Sequence, residues 1–319
     1  MRGAPVTLTA PGLVAEVDPG QGCDVVSLRP RRADGSKGPE LLFATPWVDQ
    51  AEALRRGEGG PTAPDSFGRW LQRYRGGWQT LCPVAGGERA VNGAQVGFHG
   101  EVSLRAWQVT AQGQDHLALT LDLFSLPLRL SRRISVDGAV LRLEDRLENR
   151  ADVPLSFDYS QHPAFSEALI GPGARLETNA RRFHADPDSD SRLRRGGVWD
   201  WPMAETVEGT PCDLSHLPAA GRAGPVFGWL ADFDGPPRVR LSRPKLGALT
   251  LGWDGAALPR AWLWQEWDSS DGFPWFRRAR VVAVEPASCP TGGPGRAETL
   301  TLAAGVTREI RMTMEWEWI

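Results

Sequence analysis

Two histidines and a glutamate lie at the ends of strand-like runs and are suited to acid–base chemistry. His162 lies in the run QHPAF at 161–165, His99 in FHGE at 98–101, and Glu285 in VEP at 284–286. Imidazole and carboxylate groups are the usual carriers of protons at neutral pH. The chain also contains 14 tryptophans. The ring of a tryptophan can pack against the C–H groups of a sugar, and its N–H can donate to a hydroxyl. The combination predicts acid–base chemistry on a carbohydrate.

The polarity pattern before His162 predicts a strand with one polar face. Between 155 and 162 the odd-numbered residues share one face, and Ser156, Asp158, Ser160 and His162 share the other. A polar face needs partners when it is buried, so we expect it to line a cleft. We expect Pro163 to end this strand because proline has no N–H to donate. A solvent-exposed strand with a surface histidine is the alternative.

Two segments that contain glycines offer further contacts for a sugar. Glycines at 97 and 100 let the backbone approach a ligand closely beside His99. Trp78 and Gln79 follow a glycine pair and would supply a stacking ring and an amide for a hydroxyl. The alternatives are a hairpin histidine and a turn followed by a packed tryptophan.

The runs at 262–267 and 281–285 place acids next to apolar residues. Trp262, Trp264 and Glu266 share one strand face, and two aromatic rings beside an acid resemble the lining of a carbohydrate cleft. The alternative is a core strand whose Glu266 reaches solvent.

Glu285 follows an apolar run that predicts a strand buried on both faces. Burial would raise the pKa of its carboxyl toward that of a general base, whereas an exposed strand end would not.

Composition and spacing exclude several classes of function. A chain of 319 residues with a formal charge of −3 shows no electrostatic preference for nucleic acid or for an anionic membrane. The five histidines have neither HxH nor HExxH spacing, so we expect no metal site. No stretch reaches the length of a membrane span, and the first 14 residues carry no signal-peptide pattern. The four dispersed cysteines are interpreted as reduced thiols, which predicts a cytoplasmic protein.

Short strand-like runs, separated by many of the 36 glycines and 26 prolines, predict an all-β protein. The clearest runs are 117–123, 126–134, 140–147, 262–267, 280–285 and 307–316. The spacing fits one large antiparallel β-sandwich over residues 1–319. A helix is indicated only around 48–56. The residues 312–319 alternate in polarity and predict a last strand of the sheet.

Four segments, in order, resemble the aldose 1-epimerase (galactose mutarotase-like) superfamily. They are CPVAG at 82–86, FHGE at 98–101, LENR at 147–150 with QHPAF at 161–165, and VEP at 284–286 with a Cys-Pro pair at 289–290. The resemblance implies the galactose mutarotase-like supersandwich. It also implies a small-molecule sugar substrate and no cofactor. We expect a monomer or homodimer that has neither nucleic acid nor a membrane as partner.

The resemblance assigns a role to each matching residue. Glu285 would be the general base that takes the anomeric proton, His162 the general acid that protonates the ring oxygen, and His99 a sugar contact. The ring opens and recloses on its other face, which is an isomerase reaction between α and β anomers of a free or modified sugar. This requires an ionised Glu285 beside a protonated His162. The expected substrate-binding residues are His99, Trp78, Gln79, Trp264 and Glu266.

The chain also departs from that superfamily. Gly87 stands where its members carry an arginine, and Asp232 and Asp234 are the candidates for their sugar-binding aspartate. Other readings stay open: a glycoside hydrolase with Glu266 and Glu285 as its carboxyl pair, a lyase or another isomerase, or a sugar-binding protein without catalysis.

Overall fold

The alternating runs of the sequence form antiparallel strands. The structure, a computed structural model, describes residues 4–218, 223–290, 292–293 and 299–319. The strands are β1 (Val6–Thr9), β2 (Leu13–Asp18), β3 (Asp24–Pro30), β4 (Trp78–Leu81), β5 (Arg89–Val91), β6 (Ala94–Val96), β7 (Gln108–Gln112), β8 (His116–Asp122), β9 (Leu128–Asp137), β10 (Val140–Asn149), β11 (Leu155–Phe157), β12 (Ser160–Phe165), β13 (Arg175–Thr178), β14 (Ala180–Ala185), β15 (Val198–Asp200), β16 (Met203–Glu205), β17 (Pro211–Asp213), β18 (Val226–Phe233), β19 (Arg238–Arg243), β20 (Gly247–Trp253), β21 (Arg260–Trp267), β22 (Arg280–Ala287), β23 (Leu300–Leu302) and β24 (Thr307–Trp318). The α-helices are α1 (Val48–Arg56), α2 (Ser66–Leu71) and α3 (Glu167–Ile170).

Two large sheets form the architecture. The first has the order β1-β2-β3-β4-β12-β22-β21-β18-β14-β15, and the second has the order β13-β19-β20-β24-β10-β9-β8-β7. In the second sheet, strands such as β9 and β24 alternate between buried and exposed residues, as expected for a sheet with one face on the core and one in water. The predicted all-β sandwich is confirmed.

The middle of the first sheet is buried on both faces. Every residue of β12 is buried, and so is every residue of β22 after its first. One face packs on the core that it shares with the second sheet, while the other is covered by α2 and by loops that surround a cavity. The apolar run before Glu285 therefore forms the doubly buried strand that was predicted.

A buried polar cluster joins the two sheets. Arg132 on β9 donates to both carboxylate oxygens of Asp145 on β10, at 2.8 and 2.7 Å, and to Thr80 on β4. Gln161 on β12 of the first sheet and Tyr159, just before that strand, donate to the same carboxylate. Buried polar groups are stable only when they are paired in this way, so the cluster fixes how β12 sits on the second sheet.

The strand predicted at 155–162 is wrong in two respects. The chain leaves β11 at Phe157, and β12 begins at Ser160 in another sheet, because Asp158 and Tyr159 donate their N–H groups to loop residues instead. Pro163 does not end β12, since Ala164 donates to the carbonyl of Gly77 and the strand continues to Phe165.

Other expectations can be compared directly with the structure. Helix α1 has the predicted bounds, and the last strand, β24, lies between β10 and β20. All four cysteines lie in the described part of the chain, and none forms a disulfide. The described helices are too short or too polar to cross a membrane. Among these same residues, no cluster of three or more His, Cys, Asp or Glu side chains is arranged to hold a metal ion.

Candidate active site

A cavity of about 350 Å³ opens on the face of the first sheet that points away from the second. Its walls are mainly aromatic. The aromatic lining includes Trp70, Tyr74, Phe98, Trp262, Trp264 and Trp275. Polar groups come from His99, His162 and Glu285 and from the loop after β14. An apolar wall with a few convergent polar groups is typical of a small-molecule site.

Strand register places His162 and Glu285 opposite each other. Ser160 pairs with Ala287 and Ala164 with Ala283, so the residues midway between these pairs face each other across β12 and β22. Nε2 of His162 lies 3.5 Å from Oε1 of Glu285. Both side chains are buried. Residues that are far apart in the sequence thus form one pair on the cavity floor.

Burial sets the protonation of this pair. It raises the pKa of Glu285 well above its usual range and lowers that of His162 to about 4. Both shifts disfavour the charged form, so burial favours a proton on Glu285 over a proton on His162. These directions run against an ionised Glu285 beside a protonated His162 in the protein alone.

His99 presents an N–H at the cavity wall. Its Nδ1 accepts a hydrogen bond of 2.9 Å from the backbone N–H of Gly86. Because Nδ1 is an acceptor, the neutral ring carries its proton on Nε2. The edge of the ring contacts Trp70 at a centroid distance of 4.5 Å, and the ring lies 5.9 Å from that of His162. The residue has φ = +59°, a conformation that is held by the glycine-rich loop around it.

The sequence pattern described as "Domain of unknown function (DUF4432)" matches residues 57–316. The chain belongs to the DUF4432 family. A search of the curated proteins finds no match by sequence.

Solved structures show what the fold of this DUF4432 protein resembles. A protein of Synechocystis sp. PCC 6803 has a TM-score of 0.70 at 17% identity, covering 100% of this chain and 97% of that one. A galactose mutarotase related enzyme from Lactobacillus acidophilus has a TM-score of 0.65 at 13% identity, with coverage of 98% and 97%. A GalM/aldose epimerase homologue from C. elegans has a TM-score of 0.64 at 13% identity, with coverage of 99% of each chain. The fold is thus galactose mutarotase-like, as the resemblance implied.

The DUF4432 cavity brings together His99, His162, Trp264 and Glu285, but Trp78 and Gln79 lie outside its lining. The indole of Trp78 points into the core between the sheets and donates to Oε1 of Gln161 at 2.6 Å. The amide of Gln79 donates to Asp24 at 3.0 Å. The structure therefore favours the alternative of a turn followed by a packed tryptophan.

Glu266 also lies outside the lining. Its carboxylate accepts five hydrogen bonds from the backbone and hydroxyl groups of Trp267, Ser269 and Ser270. It is buried and holds the turn that follows β21, instead of reaching solvent or substrate.

Positions where the chain departs from the superfamily lie partly in the cavity. Gly87 lines it, next to Gly86. Arg89 does not line it, because its guanidinium pairs with the buried Asp158 at 2.6 Å. Asp232 and Asp234 lie at the far end of β18, outside the lining, and Asp186 and Asp188 are the aspartates that line the cavity.

The sequence reasoning missed the aromatic wall formed by Trp70, Tyr74 and Trp275. Trp70 lies on α2, whose N-cap Asp65 accepts from the N–H of Gly68 at 2.6 Å. The signal was present, since an aspartate precedes apolar residues at helical spacing. Gly68 and the short length of the helix concealed it.

Proposed function

We propose that the protein is an aldose 1-epimerase-like isomerase that interconverts the α and β anomers of a small sugar. The observation that carries the proposal is the His162–Glu285 pair, with 3.5 Å between Nε2 and Oε1 on the floor of an aromatic cavity. One proton shared by an acid and a base within reach of one ring is what ring opening needs.

In the proposed reaction the proton first moves from Glu285 to Nε2 of His162. The Glu285 carboxylate then takes the proton of the anomeric hydroxyl while His162 protonates the ring oxygen, and the bond from C1 to that oxygen breaks. The aldehyde rotates about C1–C2 and recloses on its other face with both proton transfers reversed. His99 donates from Nε2 to a sugar oxygen, and the indole of Trp264 packs against the C–H face of the ring.

The position of Glu266 weighs against a hydrolase that uses Glu266 and Glu285. A carboxylate that accepts five hydrogen bonds from its own turn is not available to protonate a leaving group. A sugar-binding protein without turnover differs from the proposal in one measurable way, since it would bind sugars and leave the rate of anomer exchange unchanged.

Anomer-exchange NMR on a panel of free hexoses, pentoses and deoxy sugars tests the proposal. We expect the wild type to accelerate exchange of at least one sugar. Glu285→Gln and His162→Asn should each lose about 10²-fold or more, as is usual when a general acid or base is removed. His116→Asn and Glu309→Gln change the same residue types on the second sheet and should keep full activity. No acceleration of any sugar, or full activity in both site variants, would overturn the proposal.

A further inference from the structure

Aromatic side chains continue from the cavity wall to the protein surface. Phe98 in the wall contacts Phe67 edge to face, with ring centroids 4.9 Å apart. Phe67 lies 6.5 Å from Phe273, and Phe273 lies 6.5 Å from Phe276. We call Phe67, Phe273 and Phe276 the aromatic rim. Their exposed fractions are 39%, 68% and 53%.

The same two segments build the inner wall and the rim. Helix α2 carries Trp70 in the wall and Phe67 in the rim, and the loop from 268 to 279 carries Trp275 in the wall and two rim residues. Trp275 is packed between Trp47 and Trp264, with ring centroids 5.2 Å from each. These contacts hold the loop against the cavity wall, and Phe67, which also lines the cavity, connects the wall to the rim.

Exposed phenylalanines need an explanation only when they are contiguous. Phe124 is 91% exposed at the turn between β8 and β9, and a single exposed apolar side chain is ordinary. Three in ring contact at the mouth of a cavity form an apolar patch of the kind that marks a ligand groove.

The position of the reacting carbon in the cavity determines which part of a bound sugar would reach the aromatic rim. The reacting carbon must lie at the floor, beside Glu285 and His162. Ring atoms on the opposite side of the sugar then point to the mouth. A cavity of about 350 Å³ is at the small end of ligand pockets, which span roughly 300–1,000 Å³, so a large substituent on these ring atoms would be directed toward Phe67, the rim residue that also lines the cavity.

We propose that the aromatic rim is a subsite for an apolar substituent, aryl or alkyl, that the substrate carries on the side of the sugar ring remote from its anomeric carbon. This inference rests on the proposed function, because the orientation follows from chemistry at Glu285 and His162. The aromatic rings provide the apolar surface that such a group buries on binding.

Matched sugars that differ only in one substituent test the subsite. We would measure the binding of 4-O-benzyl and 4-O-methyl derivatives of D-glucose and D-galactose by calorimetry, together with their anomer exchange. The benzyl member should bind about tenfold tighter or more, since a buried phenyl group contributes at least that much. The double variant Phe67→Ser/Phe273→Ser should lose this advantage, and Phe124→Ser should keep it.

The outcomes separate the subsite from the proposed function. Equal binding of the benzyl and methyl members, an advantage that survives in the rim variant, or no binding of any derivative would overturn the subsite. Acceleration of anomer exchange for unsubstituted sugars would leave the proposed function standing in each of those cases. A benzyl advantage without anomer exchange of any sugar would instead support the subsite and count against the isomerase.

Discussion

Replacing Asp145 should destabilise the protein far more than replacing Asp122, although both carboxylates bind an arginine of β9 in the same way. Arg132 reaches Asp145 with bonds of 2.8 and 2.7 Å, and Arg129 reaches Asp122 with two bonds of 2.7 Å. The difference is exposure. The Arg132 and Asp145 side chains are 2% and 0% exposed, whereas those of Arg129 and Asp122 are 35% and 54% exposed.

The magnitude follows from what each substitution leaves behind. Asp145→Asn leaves the Arg132 guanidinium charged and buried without its carboxylate, and it weakens the hydrogen bonds from Tyr159 and Gln161. Breaking one partner of a buried pair costs about 3–5 kcal/mol. Asp122→Asn leaves Arg129 in water, where an ion pair contributes about 0–1 kcal/mol.

Urea unfolding at pH 7, followed by far-UV circular dichroism, measures both changes. A loss of about 3 kcal/mol lowers the midpoint by roughly 1–3 M, since urea slopes are about 1–3 kcal/mol per M. Adding Arg132→Met to Asp145→Asn should recover part of the loss, because no buried charge then remains without a partner. Equal losses for Asp145→Asn and Asp122→Asn would refute the reasoning that burial decides the contribution of these pairs.

Two further predictions concern the cavity. The raised pKa of Glu285 means that its carboxyl favours the folded state below the unfolded pKa and that this contribution is lost as the pH rises. Glu285→Gln should therefore raise the melting temperature at pH 8 and less so near pH 5; a pH-independent difference would contradict this. Gly86 has φ = +89°, and a Cβ there would lie 2.3 Å from Cα of Gly292, whereas a Cβ at Gly87 has its nearest neighbour at 3.6 Å. In urea unfolding, Gly86→Ala should cost about 1–3 kcal/mol and Gly87→Ala no more than about 0.5 kcal/mol; similar losses would argue against the close approach to Gly292.

Local patterns predicted many of the strands and singled out His162 and Glu285, whereas the paired roles of these two residues came from the resemblance. The apolar run before Glu285 predicted a strand that is buried on both faces, whereas the polar face predicted before His162 is divided between two sheets. Alternation does not tell which face meets the second sheet and which meets a cavity. Trp78 and Trp264 were therefore both predicted as sugar contacts, and only the pairing of β4 with β12 places Trp78 on the core face.

Glu266 shows a second limit of local patterns. It shares a strand face with Trp264, and nothing in the run WLWQEW distinguishes an acid that faces substrate from one that holds a turn. The distinction depends on the chain after β21, where two serines fold back to donate to the carboxylate. The cavity walls were missed for a related reason, since they come from loops whose packing against the sheet leaves little trace in local periodicity.

The aromatic walls have a consequence for catalysis that the charges alone do not reveal. In water at pH 7, a glutamate with a pKa near 4.3 is ionised, and a histidine with a pKa near 6.5 is mostly neutral. Burial raises the pKa of Glu285 and lowers that of His162 to about 4, so it favours a proton on Glu285 over a proton on His162. The form with this proton on Glu285 and the form with it on His162 have the same net charge. Moving the proton across 3.5 Å therefore needs no exchange with solvent, and the hydroxyls of a bound sugar can supply the polar contacts that the charged form requires.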